Sequence, residues 1–93
     1  MTLYVDKPRK WIRKNGLTCH LFTYDDLEEL HHLAHRLRLS RVWFQGSAVI
    51  PHYDLTVAKR ILAVQWGAIE LDIAAARRYL MYGDRRGYDR MTV

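Results

Sequence analysis

A single cysteine, Cys19, in 93 residues excludes an internal disulfide framework and a four-cysteine zinc site. No apolar run approaches the roughly 20 residues needed to cross a bilayer, so no transmembrane helix is expected. The opening MTLYVDKPRK has no apolar stretch behind a basic one, and no secretory signal is read there. With only one thiol, a reducing, cytoplasmic setting is the expectation. GxSxG, a P-loop and GxGxxG are all missing, which removes support for a serine hydrolase, a P-loop NTPase or a dinucleotide enzyme. There is no internal repeat and no low-complexity segment. At 93 residues and 11.1 kDa the chain has room for one core. Its 49% hydrophobic and 27% charged residues exclude wholesale disorder.

The net charge of +5 is unevenly placed. Residues 1–18 carry +4, residues 19–76 carry −2, and residues 77–93 carry +3. Eleven of the fifteen basic side chains are arginine, whose planar donor fork matches phosphate and carboxylate. The run Lys7-Pro8-Arg9-Lys10-Trp11-Ile12-Arg13-Lys14 reads as a basic arm with an aromatic inside it. Such an arm contacts phosphates and stacks on a base, although a solvated, solubilising arm has the same composition. An acidic protein partner would use the same charge.

Residues 2–6 are β-branched and aromatic and read as a strand stopped by Lys7-Pro8. Asn15-Gly16 is a turn signal, and residues 17–22 read as a second strand. Thr23 as N-cap and the apolar spacing of Leu27, Leu30, Ala34 and Leu37 predict a helix over 24–38. Residues 41–45 read as a third strand, with Trp43 in the core. His52-Tyr53-Asp54 falls on the loop that follows. A helix from about Leu55 or Thr56 to Trp66 has Val57, Ile61 and Val64 on its inner face and Gly67 after its end. Residues 68–71 read as a fourth strand, and Asp72 caps a last helix over 73–82. The order β-β-α-β-α-β-α predicts one α/β domain over 1–82 with a small, mostly parallel four-stranded sheet. The basic arm spans 7–16, and an arginine-rich tail, expected to be flexible, spans 83–93.

The candidate catalytic residues are Asp6, His20, His52 and Asp54. Asp6 ends the first strand, and His52 and Asp54 sit on a loop beyond the third. Ligands of open α/β sheets bind beyond such strand ends. Histidine is the side chain most easily tuned near neutral pH, and a carboxylate orients it. Arg41, Tyr53, Lys59 and Arg60 are the candidate ligand-binding residues, the last two near a helix N-terminus suited to anions. The purely structural alternative has Asp54 capping the helix, His52 bonding a loop carbonyl and His20 satisfied within its strand. Two histidines and two aspartates are also of the types that bind a divalent metal. That requires convergence in space, and no metal or other cofactor is assigned from the sequence. A second cluster, Glu28, His31, His32 and His35, falls on one helix face and reads as an exposed polar surface. His31 and His35 are one turn apart there. Cys19 and His20, adjacent in a strand, point to opposite faces and form no dyad.

Several stretches together resemble a known family. These are Tyr4-Val5-Asp6, Cys19-His20-Leu21, Asp26-Leu27-Glu28-Glu29-Leu30-His31, Trp43-Phe44-Gln45 and, above all, Pro51-His52-Tyr53-Asp54-Leu55 with Lys59-Arg60 and Gly67-Ala68. The chain is similar over about residues 2–80 to a small bacterial and phage family, domain of unknown function 4031. The resemblance implies a stand-alone domain without an established activity. Its pattern emphasises the positions of Asp6, His20, His52, Tyr53 and Asp54. Val57 stands where many relatives have proline.

The expected function is binding of a phosphate-bearing ligand, nucleic acid or a nucleotide, by an Asp/His crevice and the basic arm (Lys7, Arg9, Lys10, Trp11, Arg13 and Lys14). If a reaction is catalysed, His52 or His20 is the acid or base of a hydrolase-type step. The alternative is a non-catalytic phage accessory or inhibitor protein that binds an acidic host protein. No membrane partner is expected, and the tryptophan and tyrosine content suits a homodimer.

Overall fold

The computed structural model describes residues 3–10, 16–24, 26–48 and 50–82. Trp11, Arg13 and Lys14 of the basic arm and the tail 83–93 lie outside the described residues. The elements are β1 (Tyr4–Val5), β2 (Arg9–Lys10), β3 (Leu17–Phe22), α1 (Leu27–Arg36), a 3-10 turn (Arg41–Trp43), β4 (His52–Thr56), α2 (Val57–Gln65), β5 (Ile69–Glu70) and α3 (Ile73–Tyr82). Among the described residues, no helix is long and apolar enough to cross a membrane.

The domain is α/β as expected, but the sheet has five strands and is mixed. β3 is its centre. β4 runs antiparallel along one edge of β3, from Thr18↔Thr56 to Phe22↔His52. β1 and β2 lie end to end along the other edge, also antiparallel. Among the described residues, only β5, beside β1, pairs in parallel. The expectation of a mostly parallel sheet therefore fails, for a local reason. His52-Tyr53-Asp54 is strand rather than loop, and it hairpins back onto β3 without a crossover helix. Residues 41–45, expected as a strand, form the 3-10 turn and a single bridge between Gln45 and His52.

The two faces of the sheet differ. One face presents Val5, Cys19, Leu21, Tyr53 and Leu55 to α1 and α2, where Leu30, Leu33, Ala34 and Ala63 complete the main core. The other carries a smaller cluster of Phe22, Ile50 and Leu71, with Tyr4 against it. On α2 the inward positions are Ala63 and, in part, Arg60 and Val64, whereas Ile61 is 52% exposed. The expected inner face is thus rotated, because the Arg60 guanidinium turns inward to hydrogen-bond partners on the sheet. Trp43 is 56% exposed rather than core. Trp66 packs against the core with the Arg36 guanidinium 4.3 Å from its ring centre.

Helix ends follow from local chemistry. Asp26, not Thr23, caps α1 by accepting from the backbone of Glu28 and Glu29 at 3.0 and 3.3 Å. Thr23 is buried at the end of β3 instead. Both α1 and α2 close with a Schellman turn. Leu39 donates to the Ala34 carbonyl after Arg38 (φ 62°), and Ala68 donates to Ala63 after Gly67 (φ 106°). Asp72 accepts from Ala74 at the start of α3.

His31 corrects the reading of α1 as an exposed histidine face. His32 and His35 are exposed, but His31 is buried with its Nδ1 2.8 Å from the Tyr53 hydroxyl. Its ring stands edge-on to Phe44. Burial, aided by the Arg41 charge, holds the His31 pKa below the ordinary histidine value. The unfolded chain takes up this proton near pH 6.5, and the folded chain only lower. Acidification through that interval therefore favours unfolding, and above it His31 adds no further pH dependence. In urea titrations from pH 7.5 to 5, His31→Gln is expected to lose less stability on acidification than the wild type. An equal pH slope in both would rule out this role.

Candidate functional site

The register of β3 with β1 and β2 builds the site. Val5 faces Leu21 and Arg9 faces Thr18, so three residues, Asp6, Lys7 and Pro8, oppose two, Cys19 and His20. This is a β-bulge, and bulges re-aim a side chain and interrupt the ladder. Pro8 has no N–H to offer the ladder. The Asp6 carboxylate stands in for the missing acceptor: Oδ1 accepts from the His20 backbone N–H at 2.6 Å. Oδ2 lies 2.8 Å from Nδ1 of the same residue. Asp6 is only 1% exposed, so both oxygens work inside the protein.

His20 pairs with Asp54 across β3 and β4, and His52 is two residues from Asp54 on the same strand. All three therefore project from one sheet face, opposite the main core. The His20 and His52 rings meet edge to face at 4.6 Å. His20 Nε2 is 3.9 Å from Asp54 Oδ1, and His52 Nε2 is 3.8 Å from the same atom. The other carboxylate oxygen, Oδ2, accepts from Gln45 Nε2 at 3.1 Å. The His52 Nδ1 is 2.8 Å from the Ile50 carbonyl. A carbonyl only accepts, so Nδ1 carries the hydrogen and Nε2 of the neutral ring carries the lone pair. Burial holds the His52 pKa below the ordinary value; its bond to Ile50 works against this, and neighbouring His20 adds to it. The Asp6 bond gives neutral His20 the same polarity, with Nε2 towards Asp54. The arrangement is a half-buried set of donor atoms suited to acid/base chemistry or to cation binding.

The four candidate catalytic residues thus meet, although they come from three separate chain segments. The structural alternative holds only in part. His52 does bond a loop carbonyl, but Thr56 caps α2 through the Lys59 N–H, not Asp54. Of the candidate ligand-binding residues, Tyr53 is 1% exposed and faces the main core, with its hydroxyl on His31. Strand alternation, invisible while His52-Tyr53-Asp54 was taken for a loop, sends it to the other side of the sheet from its neighbours. Arg60 donates to the Asp6 carbonyl at 2.8 Å and to Glu70 at 3.0 Å, so its guanidinium braces the bulge and β5. Arg41 borders a different groove, shared with Glu28, His31, His32 and His35 of α1. Lys59 sits in the first turn of α2.

Arg9 is better placed than its position in an arm suggested. It pairs with Thr18, which lies two residues from His20, so it belongs to the site face of the sheet. Lys7, Arg9 and Lys10 are all exposed. Gln45 is the functional residue that sequence reasoning missed. Its bridge to His52 brings it beside Asp54, and its only signal was its place in the Trp43-Phe44-Gln45 stretch. Cys19 points into the core, and burial together with the Asp6 carboxylate pushes its thiol up to about 12. It remains protonated at neutral pH and is no nucleophile.

A mixed sheet with one face closed by helices and a His/Asp cluster on the other defines a small α/β domain with a polar site on its open sheet face. The chain belongs to the family described as a protein of unknown function, DUF4031, which it matches over residues 3–82. No curated protein and no solved structure matches it.

Proposed function

We propose that this domain binds a phosphate-bearing ligand, nucleic acid or a nucleotide, on the sheet face that carries His20, His52 and Asp54. The observation that carries the reading is the convergence of Asp6, His20, His52 and Asp54 on a face the main core does not use. Holding three polar side chains half-buried and the Asp6 carboxylate fully buried carries a desolvation cost that packing alone would avoid. The register of Arg9 adds an exposed guanidinium on the same face, beside Lys7 and Lys10 on the adjoining strand edge. Cationic groups there supply the salt-dependent part of phosphate binding. If a phosphoester is cleaved, the acid or base is His52 or His20, each acting through Nε2.

The test is fluorescence anisotropy with labelled single- and double-stranded DNA and RNA at about 50 and 200 mM salt. The wild type is compared with a His20→Ala/His52→Ala variant whose fold is checked by circular dichroism. Binding at low salt, weakened at least about tenfold in the variant, is the expected result. Equal binding by both proteins would move the contact to the basic arm. No binding by the wild type at low salt would sink the nucleic-acid reading and leave a nucleotide screen to decide the rest.

A further inference from the structure

Three electron-rich atoms face one another at this site. Ligand atoms of His20, His52 and Asp54 lie within 4.8 Å of one another, and Asp54 Oδ1 is 3.9 Å from His20 Nε2 and 3.8 Å from His52 Nε2. With Nδ1 of each neutral ring donating elsewhere, the atoms turned towards each other are two lone pairs and an anionic oxygen. Atoms of these types at this spacing are a ligand set for a cation. A phosphate brought to the same place would meet the Asp54 carboxylate, and the Arg60 guanidinium is engaged with the Asp6 carbonyl and Glu70.

We propose that His20 Nε2, His52 Nε2 and Asp54 Oδ1 bind one divalent first-row transition-metal ion of the Zn2+ type, leaving an open position for a phosphate oxygen of the ligand. The phosphate clause rests on the function proposed above; the metal site does not. Two imidazoles and one carboxylate suit a transition ion better than Mg2+ or Ca2+, which favour all-oxygen sites. A tetrahedral ion with ligands at about 2.0–2.2 Å spaces its donor atoms about 3.4 Å apart. The 3.8 and 3.9 Å separations from Asp54 Oδ1 therefore close by about 0.4–0.5 Å through small rotations of the side chains. The supporting shell is already built. Asp6 orients His20, the Ile50 carbonyl orients His52 and Gln45 orients Asp54. Metal-bound histidines are held through their second nitrogen in this manner. Three protein ligands with a vacant fourth position are the pattern of reactive rather than structural sites. With both Nε2 lone pairs on the ion neither imidazole acts as a base, so the acid/base role named above for His52 or His20 belongs to the metal-free site only.

The competing explanation for any metal uptake is the exposed pair His32 and His35 on α1, so the experiment includes it. Calorimetric titration of the untagged chain with Zn2+ alone, and visible absorption with Co2+ alone, are run on the wild type, His52→Ala, Asp54→Asn and His32→Gln/His35→Gln. The expected result is one ion per wild-type chain. Affinity falls at least about tenfold in His52→Ala and in Asp54→Asn and is unchanged in the α1 variant. Asp54→Asn retains size and hydrogen bonding, so it keeps the test valid if His52→Ala fails to fold. The site is overturned if the wild type binds no stoichiometric ion, if binding survives both site substitutions, or if the α1 variant abolishes it. A second arm measures oligonucleotide anisotropy with and without Zn2+. Tighter binding with the ion in the wild type, but not in Asp54→Asn, supports the open position. A bound ion without effect on the oligonucleotide overturns the phosphate clause and leaves the metal site standing. Oligonucleotide binding that needs His20 and His52 but no ion overturns the phosphate clause and leaves the proposed function standing, while the Zn2+ titration alone decides the metal site.

Discussion

Asp6→Ala is expected to cost about 2–6 kcal/mol, because the His20 backbone N–H and ring Nδ1–H both lose their carboxylate acceptor at about 1–3 kcal/mol each. The carboxylate is 1% exposed and accepts from both the backbone and the ring of His20. Alanine leaves the His20 N–H inside a bulge with no acceptor and removes the group that fixes the ring. For a domain with about 5–15 kcal/mol in total, that is a large fraction of the whole. Asp6→Asn separates the two roles. Its carbonyl oxygen still accepts from the backbone N–H, while its amide donates to Nδ1 and drives the ring proton to Nε2. The stability loss is then about 1–3 kcal/mol, but His20 presents a hydrogen to Asp54 in place of a lone pair. Urea denaturation reads the first effect, and nitrogen chemical shifts of the His20 ring read the second. A loss below about 1 kcal/mol in Asp6→Ala would show that the carboxylate is not the strut of the bulge.

Tyr53 gives the second large effect and separates core from site. Tyr53→Ala is expected to cost about 3–5 kcal/mol, as for other large aromatic truncations in a core. The ring packs among Phe44, His31 and the strands of the main core. Tyr53→Phe keeps that volume and removes only the hydroxyl bonded to His31. Leaving that buried nitrogen without its partner costs about 1–3 kcal/mol. Neither the His20–His52–Asp54 geometry nor ligand binding is expected to change in Tyr53→Phe, because the side chain lies on the opposite sheet face. A loss of ligand affinity in a stably folded Tyr53→Phe would restore Tyr53 to the site. Chemical denaturation and the anisotropy titration measure the two quantities independently.

Much of the domain is legible without coordinates. The bounds of β3, the existence of α1, α2 and α3, the Gly67 turn and the Asp72 cap all follow from spacing and capping chemistry over a few residues. The cluster Asp6, His20, His52 and Asp54 was legible as a set, through residue type and family resemblance. Its geometry was not. The bulge at Asp6, Lys7 and Pro8 depends on a register between strands that no local pattern specifies. Reading His52-Tyr53-Asp54 as a loop hid the alternation that puts His52 and Asp54 on one face and Tyr53 on the other. Arg60 carried an anion-binding signal, yet a backbone carbonyl more than fifty residues away in sequence claims it. His31 looked like its exposed neighbours because its partner, Tyr53, lies on another element.

By itself the sequence determined the α/β class, a single domain, the absence of the common nucleotide and hydrolase motifs, and the set of four polar residues that converge. Those properties rest on composition and on contacts within one or two turns of chain. Only the tertiary structure decided the mixed pairing of the sheet, the face on which each side chain lies, and which cations are engaged in holding the fold. Strand register is set by packing between distant segments, and shifting it by one residue turns every side chain to the other face. That register brings two imidazoles and a carboxylate together.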